Sequence, residues 1–222
     1  LAALSDTLCI KNQSVDSILL YNCLYNHSLP LQPRQNLIHA ILIRMKLILA
    51  QGNPGSEYAR TRHNIGWQCL DALAHAYGAQ FATKPKLHAA TANATIAGQP
   101  VLLAKPTTFY NDTGRAARAI MDFYKVSLSD VLVIHDELAL EFGIIRVRHS
   151  GSDAGNNGIK SLNAHLGQGY ARLRIGIHNP LRRRMGDAAF VLKPLSQAEQ
   201  EALNTAIIPA TTALVEQFAA GT

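Results

Sequence analysis

Short apolar runs alternate along most of the chain with segments whose apolar residues recur every three or four positions. The runs predict strands, and the longer spacing predicts helices that bury one face. The predicted strands are 46–51, 89–96, 100–104, 131–135, 144–149, 171–177 and, as an optional seventh, 188–192. The predicted helices are 65–77, 114–125, 158–166 and a last helix from residue 196. This alternation is typical of an α/β domain with a mixed, largely parallel sheet.

The last helix carries the clearest local signals. Ser196 followed three residues later by Glu199 predicts a capping box at its start. Leu203 and Ile207 continue one apolar face, and Pro209 should kink the helix because proline lacks the backbone N–H that the helix needs.

Residues 1–44 show no sustained hydrophobic period and no helix caps. We therefore expect a disordered or non-native N-terminal extension, with Met45 as the natural start, and keep an additional helix as the alternative. Residues 45–222 contain no linker or internal repeat and are predicted to form one domain.

Composition indicates a packed core and an anionic partner. Of the 222 residues, 48% are hydrophobic, and 21 Lys and Arg against 15 Asp and Glu give a net charge of +6. Between residues 141 and 193, nine residues are basic and three are acidic. A surplus of this kind favours a polyanion without identifying it, although a solvated surface would show the same charge run.

The chain has no signal for a membrane or a secreted protein. No apolar stretch is long enough for a spanning helix, and the first residues lack the basic start of a signal peptide. Cys9, Cys23 and Cys69 share no spacing typical of zinc sites or disulfide frameworks. We expect a cytoplasmic protein that binds no membrane.

Several common enzyme motifs are absent from the sequence. It contains no Gly-x-Ser-x-Gly, no His-Glu-x-x-His and no P-loop, and Gly52-x-x-Gly55 lacks the spacing of a dinucleotide fingerprint. The chemistry must therefore use other groups.

Polar side chains follow several predicted strands, where ligands bind in open α/β sheets. They include Asn53, His63, Asn111 and Asp136, together with the Gly-rich loop 151–158. A histidine can take a proton near neutral pH, and a carboxylate can orient it. Each residue alone would suit a turn or a cap; together they predict direct attack by an activated water, with amide groups stabilising the oxyanion.

Five motifs, in order along residues 45–222, resemble those of bacterial-type peptidyl-tRNA hydrolases. They are Gly52-Asn53-Pro54-Gly55 with Thr61-Arg62-His63-Asn64, Lys105-Pro106-Thr107-Thr108-Phe109-Tyr110-Asn111, His135-Asp136-Glu137-Leu138, Gly155-Asn156-Asn157-Gly158, and Arg172-Leu173-Arg174-Ile175-Gly176. The resemblance implies a three-layer α/β/α sandwich and an enzyme that hydrolyses the ester between a peptide and the 3′ ribose of tRNA, recycling tRNA from stalled ribosomes. It implies a cytoplasmic monomer without a metal or an organic cofactor.

The resemblance also implies roles for individual residues. His63 would be the general base and Asp136 its orienting partner. Asn53, Asn111 and Asn157 would bind the peptide and the water, Tyr58 would lie near the ester and the tRNA end, and Tyr110 would line the peptide channel. Arg146, Arg148 and Arg174 would contact a phosphate at the acceptor end of the tRNA.

The sequence departs from the family pattern at three positions near these motifs. Tyr110 stands where methionine is usual, Asn156 where histidine is usual, and Ala139 where an acidic residue is common. Two other functions are kept as alternatives: a catalytically silent RNA-binding relative, and an unrelated α/β hydrolase acting on a small ester or amide.

Overall fold

The computed structural model describes residues 44–221, which form a seven-stranded sheet with helices around it. The strands are β1 (Lys46–Ala50), β2 (Ala82–Lys84), β3 (Ala89–Ile96), β4 (Gln99–Pro106), β5 (Val131–Glu141), β6 (Ile145–Arg148) and β7 (Ala171–His178). The helices are α1 (Ile65–Ala76), α2 (Thr113–Tyr124), α3 (Asn157–Leu166), α4 (Arg182–Met185), α5 (Asp187–Val191), α6 (Gln197–Ala202) and α7 (Ile208–Ala220). The prediction for residues 1–44 lies, except for Arg44, outside the described residues.

The sheet has the order β2-β3-β4-β1-β5-β7-β6. Strand β1 pairs in parallel with β4 and β5, and β5 pairs in parallel with β7. Antiparallel pairs close both edges, β2 and β3 on one side and β6 on the other. The sheet is therefore mixed with a parallel centre, which confirms the predicted α/β class.

Alternate residues of β1 enter opposite layers of the core, as the two-residue period of a strand requires. Ile48 and Ala50 pack in a cluster with residues of α1 and α7. Leu47 and Leu49 pack in a second cluster with residues of α2 and α3. Helices thus cover both faces of the sheet, and the predicted α/β/α layering is confirmed.

Two strand predictions were wrong. Segment 188–192 lies within or next to helix α5 rather than in a strand, because Phe190 and Val191 are buried on one side of a short helix that follows Gly186. The period of a short apolar run does not distinguish a strand from a buried helix. Strand β2 was missed because its three residues are all exposed and lack an apolar pattern.

Strand β5 is longer than predicted. It continues to Glu141, so Asp136 and Glu137, which were expected to follow the strand, lie within it. The register with β7 shifts between Glu137 and Glu141. The strand thereby carries polar side chains past the end of the buried apolar run.

The predicted capping box of the last helix is confirmed. Ser196 and Glu199 form both hydrogen bonds of the capping box at the start of α6. A π turn, Leu203–Ile207, joins α6 to α7, and Pro209 lies in the first turn of α7. A proline that removes one N–H from the helical ladder accounts for this local change. In the described part of the chain, no helix is both long and apolar enough to cross a membrane.

A buried arginine ties the start of α1 to the segment that leads into α6. Arg62 is 1% exposed and donates to the carbonyl oxygens of Lys193 (3.1 Å) and Pro194 (2.9 Å) and to the carboxylate of Glu199 (2.5 Å). Its guanidinium also lies over the ring of Phe190, 4.7 Å from the centroid. The residue before His63 is thus fixed to the C-terminal part of the domain.

Removing this arginine should destabilise the domain. Arg62→Ala leaves Glu199 without its buried counter-ion, and we expect the free energy of unfolding to fall by about 3 to 5 kcal/mol in denaturant titrations. Arg118→Ala, which breaks the exposed pair of Arg118 with Asp122, is the matched control and should change it by no more than about 0.5 kcal/mol. Equal effects of the two variants would contradict a structural role for Arg62.

The effect should also depend on pH. Burial alone would raise the pKa of Glu199, but hydrogen bonds from Arg62 and Ser196 outweigh burial and lower the pKa below its ordinary value of 4.5. A carboxylate with a lowered folded-state pKa stabilises the fold above its unfolded-state pKa, and this contribution disappears as the pH falls through the folded-state value. The difference in the free energy of unfolding between wild type and Arg62→Ala should therefore become smaller at acidic pH.

Candidate active site

His63 and Asp136 meet at the carboxyl ends of the parallel strands. His63 lies in the turn Arg62–Asn64 between β1 and α1, and Asp136 lies in β5. His63 Nδ1 is 2.9 Å from Asp136 Oδ2. The aspartate is 2% exposed, whereas 16% of the histidine side chain remains exposed. The pair therefore has a buried carboxylate and an imidazole that reaches the surface.

Close packing of α1 against the strand ends places the histidine there. A Cβ atom on Gly66 would lie 2.8 Å from the carbonyl oxygen of Ile134 and 3.0 Å from that of Gln51. Only glycine permits this approach, because any side chain would displace the helix from β1 and β5. The first turn of α1 consequently packs against the end of β1 and against Ile134, where the pairing of β5 with β1 ends.

The pairing determines which nitrogen of His63 can act as a base. An ionised carboxylate only accepts hydrogen bonds, so Nδ1 must carry the proton that Asp136 Oδ2 accepts. In the neutral imidazole the lone pair is then on Nε2. This is the tautomer that a general base with an orienting carboxylate requires.

Tyr110 contacts both members of the pair. Its ring stacks on the His63 ring, with 3.5 Å between centroids and an angle of 12° between planes. Its hydroxyl donates to Asp136 Oδ1 over 2.5 Å, and the side chain is 1% exposed. Burial, followed by the negative charge of Asp136, raises the pKa of Tyr110 well above its ordinary value. Both oxygens of Asp136 therefore accept a hydrogen bond.

Asn53 is fixed by neighbours on two segments. Its Oδ1 accepts from the backbone N–H of Tyr110 (2.8 Å), while its own N–H and C=O bond to the side-chain amide of Asn64, both at 2.9 Å. Because Oδ1 is occupied, the Nδ2 group of Asn53 is the part of the amide oriented for another acceptor. Asn53 lines the same cavity as His63.

A cavity of about 610 Å³ opens beside the pair. Its wall contains amide, aromatic and charged side chains from β5 and from the segments that follow β1, β4, β6 and β7: Asn53, His63, Phe109, Tyr110, Asn111, Asp136, Glu137, Asn156, Asn157, Arg182 and Asp187. Asn111 and Asn157 are exposed within it. The cavity is large enough for several residues of an extended ligand and presents hydrogen-bond donors and acceptors that carry no charge.

Three arginines form hydrogen bonds with the segments that surround this cavity. Arg172 is 5% exposed and donates to the carbonyl oxygen of Ser152 in the Gly-rich loop (2.8 Å). Burial lowers the pKa of Arg172. Arg174 donates from Nε (3.0 Å) and Nη2 (2.9 Å) to Glu137 Oε2. Arg182 donates to the carbonyl oxygen of Leu138 (2.7 Å) and pairs with Asp187 (2.6 Å).

A family model described as peptidyl-tRNA hydrolase matches residues 47–222. The chain belongs to the peptidyl-tRNA hydrolase family. One member, from Mycolicibacterium gilvum, is 40% identical over 168 residues, which cover 75% of this chain and 87% of the relative. Another, from Anaeromyxobacter dehalogenans, is 41% identical over 180 residues, which cover 79% of this chain and 93% of the relative.

Solved structures of the peptidyl-tRNA hydrolase family have the same fold. The enzyme from Acinetobacter baumannii superimposes with a TM-score of 0.73 and 34% identity, over 80% of this chain and 89% of that one. A peptidyl-tRNA hydrolase in complex with N-propanol gives a TM-score of 0.75 and 33% identity, over 82% and 91% of the two chains.

Most residues expected to form a peptidyl-tRNA hydrolase site do lie together. His63, Asp136 and Tyr110 are in contact, and Asn53, Asn111 and Asn157 line the same cavity. Tyr58 is different: it is half-buried in the turn Ser56–Tyr58 and is not among the residues that line the cavity. Its expected contact with the tRNA end stays a prediction.

The expected phosphate-binding residues occupy unlike environments. Arg146 and Arg148 are exposed on the edge strand β6. Arg174 lies opposite Arg146 on β7, but only 12% of its side chain is exposed and Glu137 occupies two of its nitrogens. Part of the positive charge counted in the sequence is therefore neutralised inside the domain.

Sequence reasoning missed the roles of Asn156 and Glu137. Asn156 caps α3 by accepting from the N–H of Ile159 (3.0 Å), and its Nδ2 donates to the Tyr110 hydroxyl (3.2 Å). An asparagine directly before a helix signals such a cap, although not the contact with Tyr110. Glu137 follows Asp136 in the strand, and no local pattern indicates its pairing with Arg174. Among residues 44–221, no group of three His, Cys, Asp or Glu side chains could hold a metal ion.

Gly158, in the first turn of α3, fixes how closely the helix approaches Tyr110. A Cβ atom there would lie 2.4 Å from Tyr110 Cε1 and 2.3 Å from Gln51 Nε2. Gly158→Ala should therefore push the Tyr110 ring off His63 and lower the free energy of unfolding by about 1 to 3 kcal/mol. In NMR spectra, the ring protons of His63 should lose the upfield shift that a stacked ring produces.

Gly169→Ala provides the comparison for this variant. A Cβ atom at Gly169 would meet only the flexible side chain of Leu128, at 3.3 Å. This variant should leave the His63 resonances in place. Unchanged His63 resonances in Gly158→Ala as well would show that Tyr110 does not depend on this helix for its position.

Proposed function

We propose that this chain hydrolyses the ester between a peptide, or an N-blocked amino acid, and the 3′ ribose of tRNA, and so recycles peptidyl-tRNA released from stalled ribosomes. The observation that carries the proposal is the His63–Asp136 pair, which opens into a cavity lined by four asparagines, Asn53, Asn111, Asn156 and Asn157. The names of the relatives support the same substrate. A cytoplasmic monomer is proposed with it.

In the proposed reaction, His63 Nε2 takes a proton from a water molecule whose oxygen attacks the ester carbonyl carbon. The carbonyl oxygen then carries negative charge in a tetrahedral intermediate. Collapse of this intermediate breaks the bond between the carbonyl carbon and the ribose oxygen, and His63 returns the proton to that oxygen. Water and ester thus give a peptide acid and a tRNA with a free ribose hydroxyl.

Asp136 stabilises the imidazolium that exists between the two proton transfers. Its Oδ2 lies 2.9 Å from His63 Nδ1, and its burial keeps bulk water from screening the interaction. The carboxylate also holds the ring in the tautomer whose Nε2 is unprotonated. Asp136 therefore acts through His63 and does not contact the substrate in this mechanism.

The asparagines supply uncharged donors to the substrate. Asn53 has its Oδ1 occupied by Tyr110 N–H, so its Nδ2 group is suited to donate to the ester carbonyl or its oxyanion. Asn111 and Asn157, exposed in the cavity, are suited to bind the peptide backbone and the attacking water. The free α-amino group of an aminoacyl-tRNA carries no N-acyl group for these contacts, so N-blocked substrates should be preferred.

Positive charge near the site accounts for binding of the tRNA. Arg146 and Arg148 are exposed on β6, whose neighbour β7 pairs with the strand that carries Asp136. We assign these two residues, together with the less accessible Arg174, to phosphates at the acceptor end. Phosphate contacts position a substrate without reading its bases, as an enzyme that accepts many tRNAs requires.

A test of the reaction compares an N-blocked aminoacyl-tRNA with the free aminoacyl-tRNA. Wild type should cleave the first and leave the second largely intact. His63→Ala should lower kcat by about 10²- to 10⁴-fold, because the water then lacks its base. His75→Ala, at an exposed position near the end of α1, should retain wild-type activity.

The same assay separates the competing explanations. Full cleavage by His63→Ala would contradict the assigned base. Binding of tRNA without cleavage by wild type would instead support a catalytically silent RNA-binding relative. Cleavage of small esters without any preference for tRNA would support an unrelated hydrolase.

The exposed arginines of β6 should govern the salt dependence of binding. Replacing Arg146 and Arg148 together by glutamine should raise KM more than it lowers kcat. It should also reduce the slope of the logarithm of the tRNA association constant against the logarithm of the salt concentration by about one to two. Lys125→Gln is the control, because Lys125 is exposed at the opposite end of α2 from the site. An unchanged slope in the double variant would remove β6 from the tRNA interface.

A further inference from the structure

The least expected contacts of the site are those of Tyr110. One face of its ring lies on His63, and its hydroxyl donates to Asp136 Oδ1. The same hydroxyl accepts from Asn156 Nδ2 over 3.2 Å. A residue that was expected only to line the peptide channel is thus joined to both members of the pair.

We propose that Tyr110 is a positioning residue that sets the pH at which His63 becomes a base, by holding Asp136 Oδ1 and withdrawing part of the carboxylate charge from His63. The inference rests on the proposed function, in which neutral His63 activates the water. It assigns Tyr110 a role through Asp136 and not through contact with the substrate.

The direction of the hydrogen bonds supports this role. A tyrosine hydroxyl has one proton, and because Asn156 Nδ2 can only donate, the proton of Tyr110 is available for Asp136. Burial and the neighbouring carboxylate both raise the pKa of Tyr110, so the hydroxyl stays protonated as a donor throughout the working pH range. Accepting a hydrogen bond from Asn156 also makes the hydroxyl a stronger donor.

The backbone around Tyr110 leaves its ring little freedom. Its N–H donates to Asn53 Oδ1 (2.8 Å), and its carbonyl oxygen accepts from Thr113 Oγ1 (2.6 Å). On the side of α3, Gly158 approaches so closely that there is no room for a methyl group. The hydroxyl is therefore presented to Asp136 in one fixed geometry.

Other charged and titratable groups face His63 from the elements around it. They are Asp136 and Glu137 of β5, with Arg174 of β7 paired to Glu137, and Arg182 and Asp187 of α4 and α5 at the cavity rim; His135 is buried beside Asp136. Glu137 and Asp187 are each paired with an arginine. Asp136, which has no cationic partner besides His63 among residues 44–221, is the group through which a change should reach the imidazole.

Tyr110→Phe keeps the stacked ring and removes only the hydroxyl. The carboxylate charge should then concentrate on Oδ2, which stabilises the imidazolium. We expect the acidic limb of the pH profile of kcat/KM to move to higher pH by roughly half a unit. The NMR titration midpoint of His63 in the free protein should move the same way, which tests the inference without any substrate.

Two further variants make the result specific. Tyr170→Phe is the matched control: Tyr170 is also 1% exposed, and its hydroxyl donates to Asn163 (2.7 Å), outside the cavity. Loss of the Tyr170 hydroxyl should lower the free energy of unfolding about as much as Tyr110→Phe does. It should leave the pH profile of kcat/KM and the NMR titration midpoint of His63 unchanged. Asn156→Ser should retain the cap of α3 and lose the Nδ2 donor, giving a smaller shift in the same direction as Tyr110→Phe.

The outcomes separate this inference from the proposed function. Superimposable profiles, or a shift to lower pH, in Tyr110→Phe would overturn the role of Tyr110 even if His63→Ala is inactive. Activity that survives His63→Ala would overturn the mechanism itself, whereas the NMR titration would still report on the contact. If Tyr110→Phe does not fold, an unshifted Asn156→Ser profile overturns the inference and a shifted one supports it.

Discussion

The site depends on the buried carboxylate of Asp136 and on the one hydrogen bond that each of its oxygens accepts. Burying a carboxylate that is only 2% exposed destabilises the fold unless its oxygens accept hydrogen bonds. Here Oδ2 accepts from His63 and Oδ1 from Tyr110. These two bonds fix the tautomer and the plane of the imidazole, and they leave Nε2 as its basic nitrogen.

The fold supplies this arrangement through close approaches that only certain residues allow. Gly66 lets α1 start against the backbone of Gln51 and Ile134, and Gly158 lets α3 reach the Tyr110 ring. Internal arginines then secure the surrounding segments: Arg62 holds the chain before α6, and Arg172 holds the Gly-rich loop. Part of the basic surplus therefore stabilises the domain, whereas Arg146 and Arg148 of β6 remain exposed.

The sequence was sufficient to predict those features that depend on residues close together in the chain. The period of β1, the capping box at Ser196 and the effect of Pro209 all depend on residues within a few positions of each other. The joint placement of His63 and Asp136 also followed, because strand ends in a parallel sheet meet at one edge. Side-chain contacts between segments far apart in the chain could not be predicted from the sequence. The Tyr110 hydroxyl bonds to a residue 26 positions away, and the pairing of Arg174 with Glu137 depends on the register of two strands.

Asp136→Asn keeps the shape of the side chain and removes its charge, so it shows whether the carboxylate makes His63 a base. If the Tyr110 hydroxyl remains a donor, it bonds to the amide oxygen, and the NH₂ group then faces His63, whose Nδ1 has to accept and whose Nε2 has to carry the proton. Steady-state kinetics with N-blocked aminoacyl-tRNA should show a fall in kcat of about 10²- to 10³-fold with little change in KM. A folded Asp136→Asn enzyme with wild-type kcat would contradict the central claim that this carboxylate makes His63 a base.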